Sequence, residues 1–245
     1  MKNFKLTISY DGSRYRGWQR LTNDAATIQN KLETCLSRMC DSPIEIIGSG
    51  RTDGGVHAIA QVANFQTNSS ITPEEIKAYC YQYLPDDIIV TNAEEVGERF
   101  HSRYNAKSKV YRYRICNNEQ HDVFMRKYSW HVPAKLNLDI MKSSAALLKG
   151  EHDFKSFTSD KTPEKRSIRT LTRLDIVHNG VFIDLFFEAD GFLYNMVRII
   201  VGTLVEIGLK ERDINSIKKA FEEKVRPSAG QKVPPQGLCL MEVKY

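Results

Sequence analysis

The hydrophobic period of this chain switches repeatedly between two residues and about 3.6, and that switching limits the fold more than any other feature. Phe4, Leu6, Ile8 and Tyr10 alternate with polar residues as a half-buried strand does, and Asp11-Gly12 ends the run. Ile28, Leu32, Leu36 and Met39 then recur at helical spacing, which predicts an amphipathic helix over 25–40. Pro43 closes that helix, Ile44–Ile47 restarts as a strand, and 60–67 reads as another. Thr72-Pro73-Glu74-Glu75 is a helix start, with Thr72 as N-cap, Pro73 at the first position and Glu75 three residues on. Ile88–Val96 is again a strand. The first hundred residues therefore run strand, helix, strand, strand, helix, strand, an α+β order that lays helices on one sheet face.

A similar order follows. Lys109–Cys116 alternates as a strand, and Leu138, Met141, Ala145 and Leu148 mark a helix. Strands over about 167–178 and 181–189 meet at Asn179-Gly180, a strong hairpin signal. An apolar helix over 192–208, a shorter one over 213–223 and a last strand at Leu238–Val243 complete the chain. This predicts two related α+β halves, 1–105 and 106–245. Three polar segments interrupt the pattern, at 11–25, 116–129 and 155–167. The third is rich in Lys, Ser and Thr and reads either as a solvated loop or as a phosphate-contacting loop that orders on RNA. Residues 224–236, with Pro227, Pro234 and Pro235, read as an extended connector.

At 245 residues the chain suits one large domain or two smaller ones. Lys and Arg total 35 against 30 Asp and Glu, and the resulting +5 charge permits nucleic-acid binding without demanding it. No apolar run reaches the ~18 residues needed to span a bilayer, and the N-terminus has no signal-peptide core. The five cysteines (Cys35, Cys40, Cys80, Cys116 and Cys239) are scattered and form no C-x-x-C, which fits reduced thiols in a cytoplasmic protein. No His, Cys or carboxylate cluster has zinc spacing, so no metal is expected.

The chemistry concentrates in Gly48-Ser-Gly-Arg-Thr-Asp-Gly-Gly-Val-His-Ala58. By composition this is a tight Asp-Gly turn between strands. Two features oppose that reading: Arg51 stands two residues from Asp53, and the loop is held between apolar strands, where function concentrates. Tyr111 and Tyr113 share a strand face, so either could be core. Arg198 lies amid Val197, Ile199, Ile200 and Val201, and an arginine on so apolar a helix needs a buried partner. His57 reads as a structural histidine. Trp18, near Arg14, Arg16 and Arg20, reads equally as an RNA-stacking ring or as packing at the base of its loop.

Gly50-Arg-Thr-Asp-Gly-Gly-Val-His-Ala58 resembles the G-R-T-D-A-G-V-H-A signature of the tRNA pseudouridine synthase A family, with Gly54 where that family commonly has Ala. Further similarities follow in the same order. They are Tyr10-Asp-Gly with Gly17-Trp18-Gln19, Phe100-His101-Ser-Arg103-Tyr104, Lys109-Val-Tyr111-Arg-Tyr113, Phe154-Lys-Ser-Phe157, Asn195-Met-Val-Arg198 through Gly202, and Gly237-Leu-Cys-Leu240. The resemblance spans residues 8–243. It implies two ferredoxin-like halves forming an extended antiparallel sheet, with helices on one face and the active-site cleft between the halves. It implies isomerisation of uridine to pseudouridine at positions 38, 39 and 40 of the tRNA anticodon stem-loop, by a homodimer and without a cofactor. By motif position, Asp53 is the catalytic carboxylate, Arg198 its charge partner, Tyr111 the ring against the uracil and Arg51 the residue that holds the flipped nucleotide. Two rivals stand beside this reading: a non-catalytic tRNA-binding module, and a hydrolase of N-glycosidic bonds. A hydrolase would ordinarily use a carboxylate pair, and no second carboxylate accompanies Asp53 in its motif.

Overall fold

The computed structural model describes residues 1–22, 26–160 and 167–245. It divides into two compact units, one of Met1–Lys107 with Cys239–Tyr245 and one of Ser108–Leu238. Both mix strands and helices.

In the first unit, β1 (Lys2–Tyr10), α1 (Ile28–Cys40), β2 (Ile47–Gly48), β3 (His57–Thr67), α2 (Pro73–Tyr83) and β4 (Ile88–Val96) follow in order. Strand β1 is antiparallel to both β3 and β4, and β2 pairs with the far side of β3. The alternation seen in β1 does what it predicts: Phe4, Leu6 and Ile8 are fully buried, together with Ile28, Leu32 and Leu36 of α1 and Ile76 of α2. Each such side chain contributes roughly 1.5–3 kcal/mol by leaving water. Thr72 and Glu75 form the expected capping box at the start of α2. The predicted strand at Ile44–Ile47 shrinks to β2. The amides of Ile44 and Ile46 donate to Ser37 Oγ and Glu33 Oε1 on α1, and Gln29 Nε2 donates to the Ile46 carbonyl. Helix side chains thus take the hydrogen bonds a sheet would have used. Helix α1 begins at Ile28 rather than 25, and residue 25 lies outside the described residues. It ends on Asp41 in the left-handed region, φ 48°, two residues before Pro43.

The second unit contains β5 (Ser108–Cys116), β6 (Trp130–His131), α3 (Leu138–Leu148), β7 (Gly150–Asp153), β8 (Ile168–Asn179), β9 (Phe182–Ala189), α4 (Met196–Gly208) and α5 (Ser216–Glu223). Strands β5, β9, β8 and β7 lie side by side and antiparallel, with the short β6 parallel to β5. The hairpin forms, but Asn179 pairs with Phe182, so Gly180 (φ 61°) and Val181 make the turn, one residue later than read. Glycine first in a two-residue turn suits the right-handed twist of the strands. Helix α4 starts at Met196, four residues later than expected, because Asn195 sits at φ 62° and a left-handed residue cannot continue a right-handed helix. The segment after α5 lies on α4: Gly230 and Gln231 donate their amides to Thr203 Oγ1 and Glu206 Oε1, and Arg212 pairs with Glu206 at 2.7 Å.

The last strand, β10 (Leu238–Lys244), departs from the division into 1–105 and 106–245. Cys239 and Leu240 pair in parallel with His57 and Ala58, so Cys239–Tyr245 belongs to the first unit. Sequence order alone would have grouped these residues with the second half. None of the five cysteines is in a disulfide. Among the described residues no helix is long and apolar enough to cross a membrane.

Candidate active site

The loop between β2 and β3 is fixed from both ends. Ser49 donates its amide to Val62 O, and its hydroxyl donates to Gln61 Oε1 at 2.7 Å. Gln61 Nε2 donates in turn to Gly50 O at 3.0 Å. Thr52 points inward, its hydroxyl 2.8 Å from that of Tyr10, and its carbonyl accepts the Trp18 amide. Asp53 bridges to Gly17, and its carbonyl accepts the Val56 amide. Gly17 has φ 108°, and a Cβ there would stand 2.6 Å from Thr52 O, so only glycine lets the 11–20 segment approach this closely. Ser49 and Gln61 are fully buried, and Thr52 and Tyr10 nearly so. Burial drives the Tyr10 phenol well above the usual tyrosine range despite its hydrogen bond to Thr52. The backbone around Asp53 thus hangs on a buried polar network, while Asp53 itself is half-buried.

Residues beside the loop take different parts. Arg51 is exposed and makes no ion pair among the described residues. With Thr52 turned into the core, Arg51 faces outward. His57 is 6% exposed and its Nδ1 accepts the Gly12 amide at 3.1 Å, a structural role. Trp18 is 2% exposed, packed near Tyr10 and over Gly48, so it is a core residue and not a surface for stacking RNA. Of its arginine neighbours, Arg14 pairs with Asp87 and Arg20 with Glu33.

In the second unit, Tyr111 and Tyr113 sit two apart on β5 and are both buried. Tyr113 is the core residue: it is fully buried, its hydroxyl donates to Pro234 O at 2.8 Å, and burial raises its pKa. Tyr111 is 7% exposed and meets Phe192 edge-on at 5.1 Å. Arg198, on the first turn of α4, is 8% exposed. Its Nε donates to Val233 O at 2.8 Å and its Nη1 to Asn195 Oδ1 at 2.9 Å, which uses two of its five N–H donors and fixes the guanidinium plane. Asn195, in its left-handed conformation, thereby orients Arg198. The Lys/Ser/Thr-rich segment 155–167, read as a solvated or a phosphate-contacting loop, begins as a short 3-10 turn at Lys155–Phe157 with Phe157 fully buried, and its residues 161–166 lie outside the described residues.

Residues 6–105 and 144–245 match the family model described as tRNA pseudouridine synthase. The chain belongs to that family. Over all 245 residues of both chains it is 48% identical to the tRNA pseudouridine synthase A 2 of Bacillus cereus (strain ATCC 14579). It is 51% identical over 230 residues, 94% of each chain, to the tRNA pseudouridine synthase A of Bacillus sp. (strain KSM-64). It is 46% identical over both full chains to the tRNA pseudouridine synthase A 1 of Clostridium tetani. Pseudouridine synthases are isomerases, and this chain is one of that enzyme class. Arg51, Asp53 and Arg198 lie in the matched stretches, and Tyr111 lies in the interval between them. Sequence reading missed Tyr10, Ser49 and Gln61 as a working group. Their signal was a glutamine and an asparagine in a strand whose residues 61–65 are all buried, where ordinary alternation would have put polar residues outside.

Proposed function

We propose that the protein isomerises uridine to pseudouridine at positions 38, 39 and 40 of the tRNA anticodon stem-loop, with Asp53 as the catalytic carboxylate. The observation that carries this reading is the loop around Asp53, whose backbone is locked by buried side chains while Asp53 stays half-buried and Arg51 faces solvent. Reactive groups work best on such pre-organised backbone. Full-length relatives bearing the synthase name support the substrate class.

The reaction breaks N1–C1′, turns the uracil and joins C5 to C1′. C5 gives up a proton and N1 gains one, so no atom, electron or cofactor is consumed. Asp53 assists cleavage, and three routes are open to a carboxylate there: attack at C1′, attack at C6, or removal of the 2′ proton. Arg198 is the partner that keeps Asp53 ionised, and its planar guanidinium suits a carboxylate better than lysine would. Tyr111 stacks on the uracil, and its hydroxyl is the base for the C5 proton. A uridine in a stem must leave the helix to react, and Arg51 holds the flipped nucleotide. The enzyme works as a cytoplasmic homodimer on RNA read mainly by shape and phosphate contacts, so binding weakens sharply with salt.

The test uses unmodified tRNA tritiated at uridine C5. The full chain should release tritium and leave pseudouridine at 38–40, and Asp53→Asn should abolish release while tRNA affinity stays within a few-fold. Turnover by Asp53→Asn would sink the assignment. Free uracil would identify a hydrolase instead, and binding without release a non-catalytic module.

A further inference from the structure

The turn from Gly97 to Lys107 is built with unusual care for a surface segment. Three buried polar side chains anchor it: Asn3 (1% exposed), Asn64 (2%) and Ser102 (0%). Asn3 Nδ2 donates to the carbonyls of Gly97 and Phe100, and Asn64 Nδ2 donates to Asn3 Oδ1. Ser102 gives its amide to Asn64 Oδ1 and its hydroxyl to Ile47 O on β2. Tyr245 closes the cage, its hydroxyl on Ser102 O and its ring 5.1 Å from Phe100. The imidazole of His101 is locked as well, because its Nδ1 accepts the amides of Arg103 and Tyr104.

What this scaffold presents is an exposed aromatic face on a turn that carries three cations, with its one acid, Glu98, paired to the N-terminal amine. Tyr104 is stacked on His101, centroids 4.1 Å apart and planes 29° apart, yet is 77% exposed. Arg99, Arg103 and Lys107 lie on the same turn, all exposed and none in an ion pair among the described residues. Several other cations of this unit do find carboxylates, as Lys2 does with Glu95, Lys5 with Glu94, Arg14 with Asp87 and Arg20 with Glu33. The turn also hangs on Ile47, and the strand it belongs to runs straight into the loop that carries Asp53.

We propose that this turn is an RNA-binding subsite: an unpaired base stacks on the exposed face of Tyr104, and Arg103, supported by Arg99 and Lys107, takes the adjoining phosphates. The subsite rests on the RNA substrate class of the proposed function but not on the identity of the catalytic group. A planar ring already fixed by a stacked histidine binds a base with little loss of side-chain freedom, and stacking tolerates any base.

The experiment measures Kd by fluorescence anisotropy for a labelled anticodon stem-loop RNA and for a blunt duplex without unpaired bases. Tyr104→Ala should weaken stem-loop binding about ten-fold, Tyr104→Trp should restore it, and duplex binding should change little. Arg103→Gln should reduce the slope of log Kd against log salt by about 1. Light scattering should give every variant the wild-type mass. Unchanged stem-loop affinity in Tyr104→Ala, or lost affinity with a fallen mass, would overturn the proposal. If the wild type releases tritium normally while Tyr104→Ala binds normally, only the subsite fails. If the wild type binds neither RNA, the functional reading fails with it.

Discussion

Replacing Gln61 by Leu removes the centre of the network under the Asp53 loop. Gln61 accepts from the Ser49 hydroxyl at 2.7 Å and from its neighbour's amide at 3.2 Å, and it donates to Gly50 O at 3.0 Å. Leucine is close in volume, so no large cavity follows. Three hydrogen bonds are lost at about 1 kcal/mol each, and the fully buried Ser49 hydroxyl is left without its acceptor, adding roughly 1–2 kcal/mol. The sum is about 4–5 kcal/mol, a large part of a typical ~5–15 kcal/mol stability. Urea unfolding followed by circular dichroism should show a lower midpoint with an unchanged m-value. Turnover, measured well below the new midpoint, should fall by more than tRNA affinity does, because the loop backbone is no longer held. A loss under about 1 kcal/mol, well below the net worth of the lost bonds, would refute the claim that these bonds fix the loop.

Gly54→Ala should be tolerated: a Cβ there meets nothing nearer than 3.4 Å, so thermal unfolding should show stability unchanged or raised by about 0.4–1 kcal/mol, with full activity. Tyr113→Phe should cost about 1–2 kcal/mol in urea unfolding by stranding Pro234 O, with turnover intact, whereas Tyr111→Phe should keep stability and lose turnover. The reverse pattern would exchange their roles. Burial raises the pKa of Tyr10, Tyr15, Tyr113 and Tyr245. A pKa raised in the folded state stabilises fully below the unfolded value of about 10, and that stability drains away above it. Tyrosinate absorbance at 295 nm should therefore show these four titrating only as the chain unfolds. Reversible early titration of all 11 tyrosines would contradict their burial.

Elements whose hydrophobic pattern is local were legible in the sequence. Strand β1, the capping box of α2, helix α3 and the hairpin of β8 and β9 stand nearly where their spacing put them. What failed to show was whatever a distant partner decides. Ile44 and Ile46 have strand-like residues, yet α1 side chains take their backbone bonds. The last seven residues follow the second unit in sequence and join the first by pairing with β3. Asp53, Arg51, Tyr111 and Arg198 are proposed through motif order, since a Gly-flanked Asp has no intrinsic mark that separates a site from a turn. The same limit left Trp18 open between an RNA-stacking ring and packing at the base of its loop, and its ring fills the space beside Gly48.

Strand β3 explains why site and scaffold are hard to separate here. Residues Gln61 to Phe65 are all buried, so both faces of the strand are covered and its two amides cannot turn to water. A buried amide without partners is costly, which forces each to collect hydrogen bonds from neighbouring backbone. Gln61 collects the Asp53 loop, through Ser49 and Gly50, and Asn64 collects the 97–107 turn, through Asn3 and Ser102. One strand thus holds two surface segments by the same device, with no bond shared between the two clusters. Their effects should therefore be nearly additive: Gln61→Leu with Asn64→Leu should destabilise by the sum of the single changes within about 0.5 kcal/mol. A coupling above about 1 kcal/mol, outside the range for independent sites, would mean that loop and turn are braced as one unit.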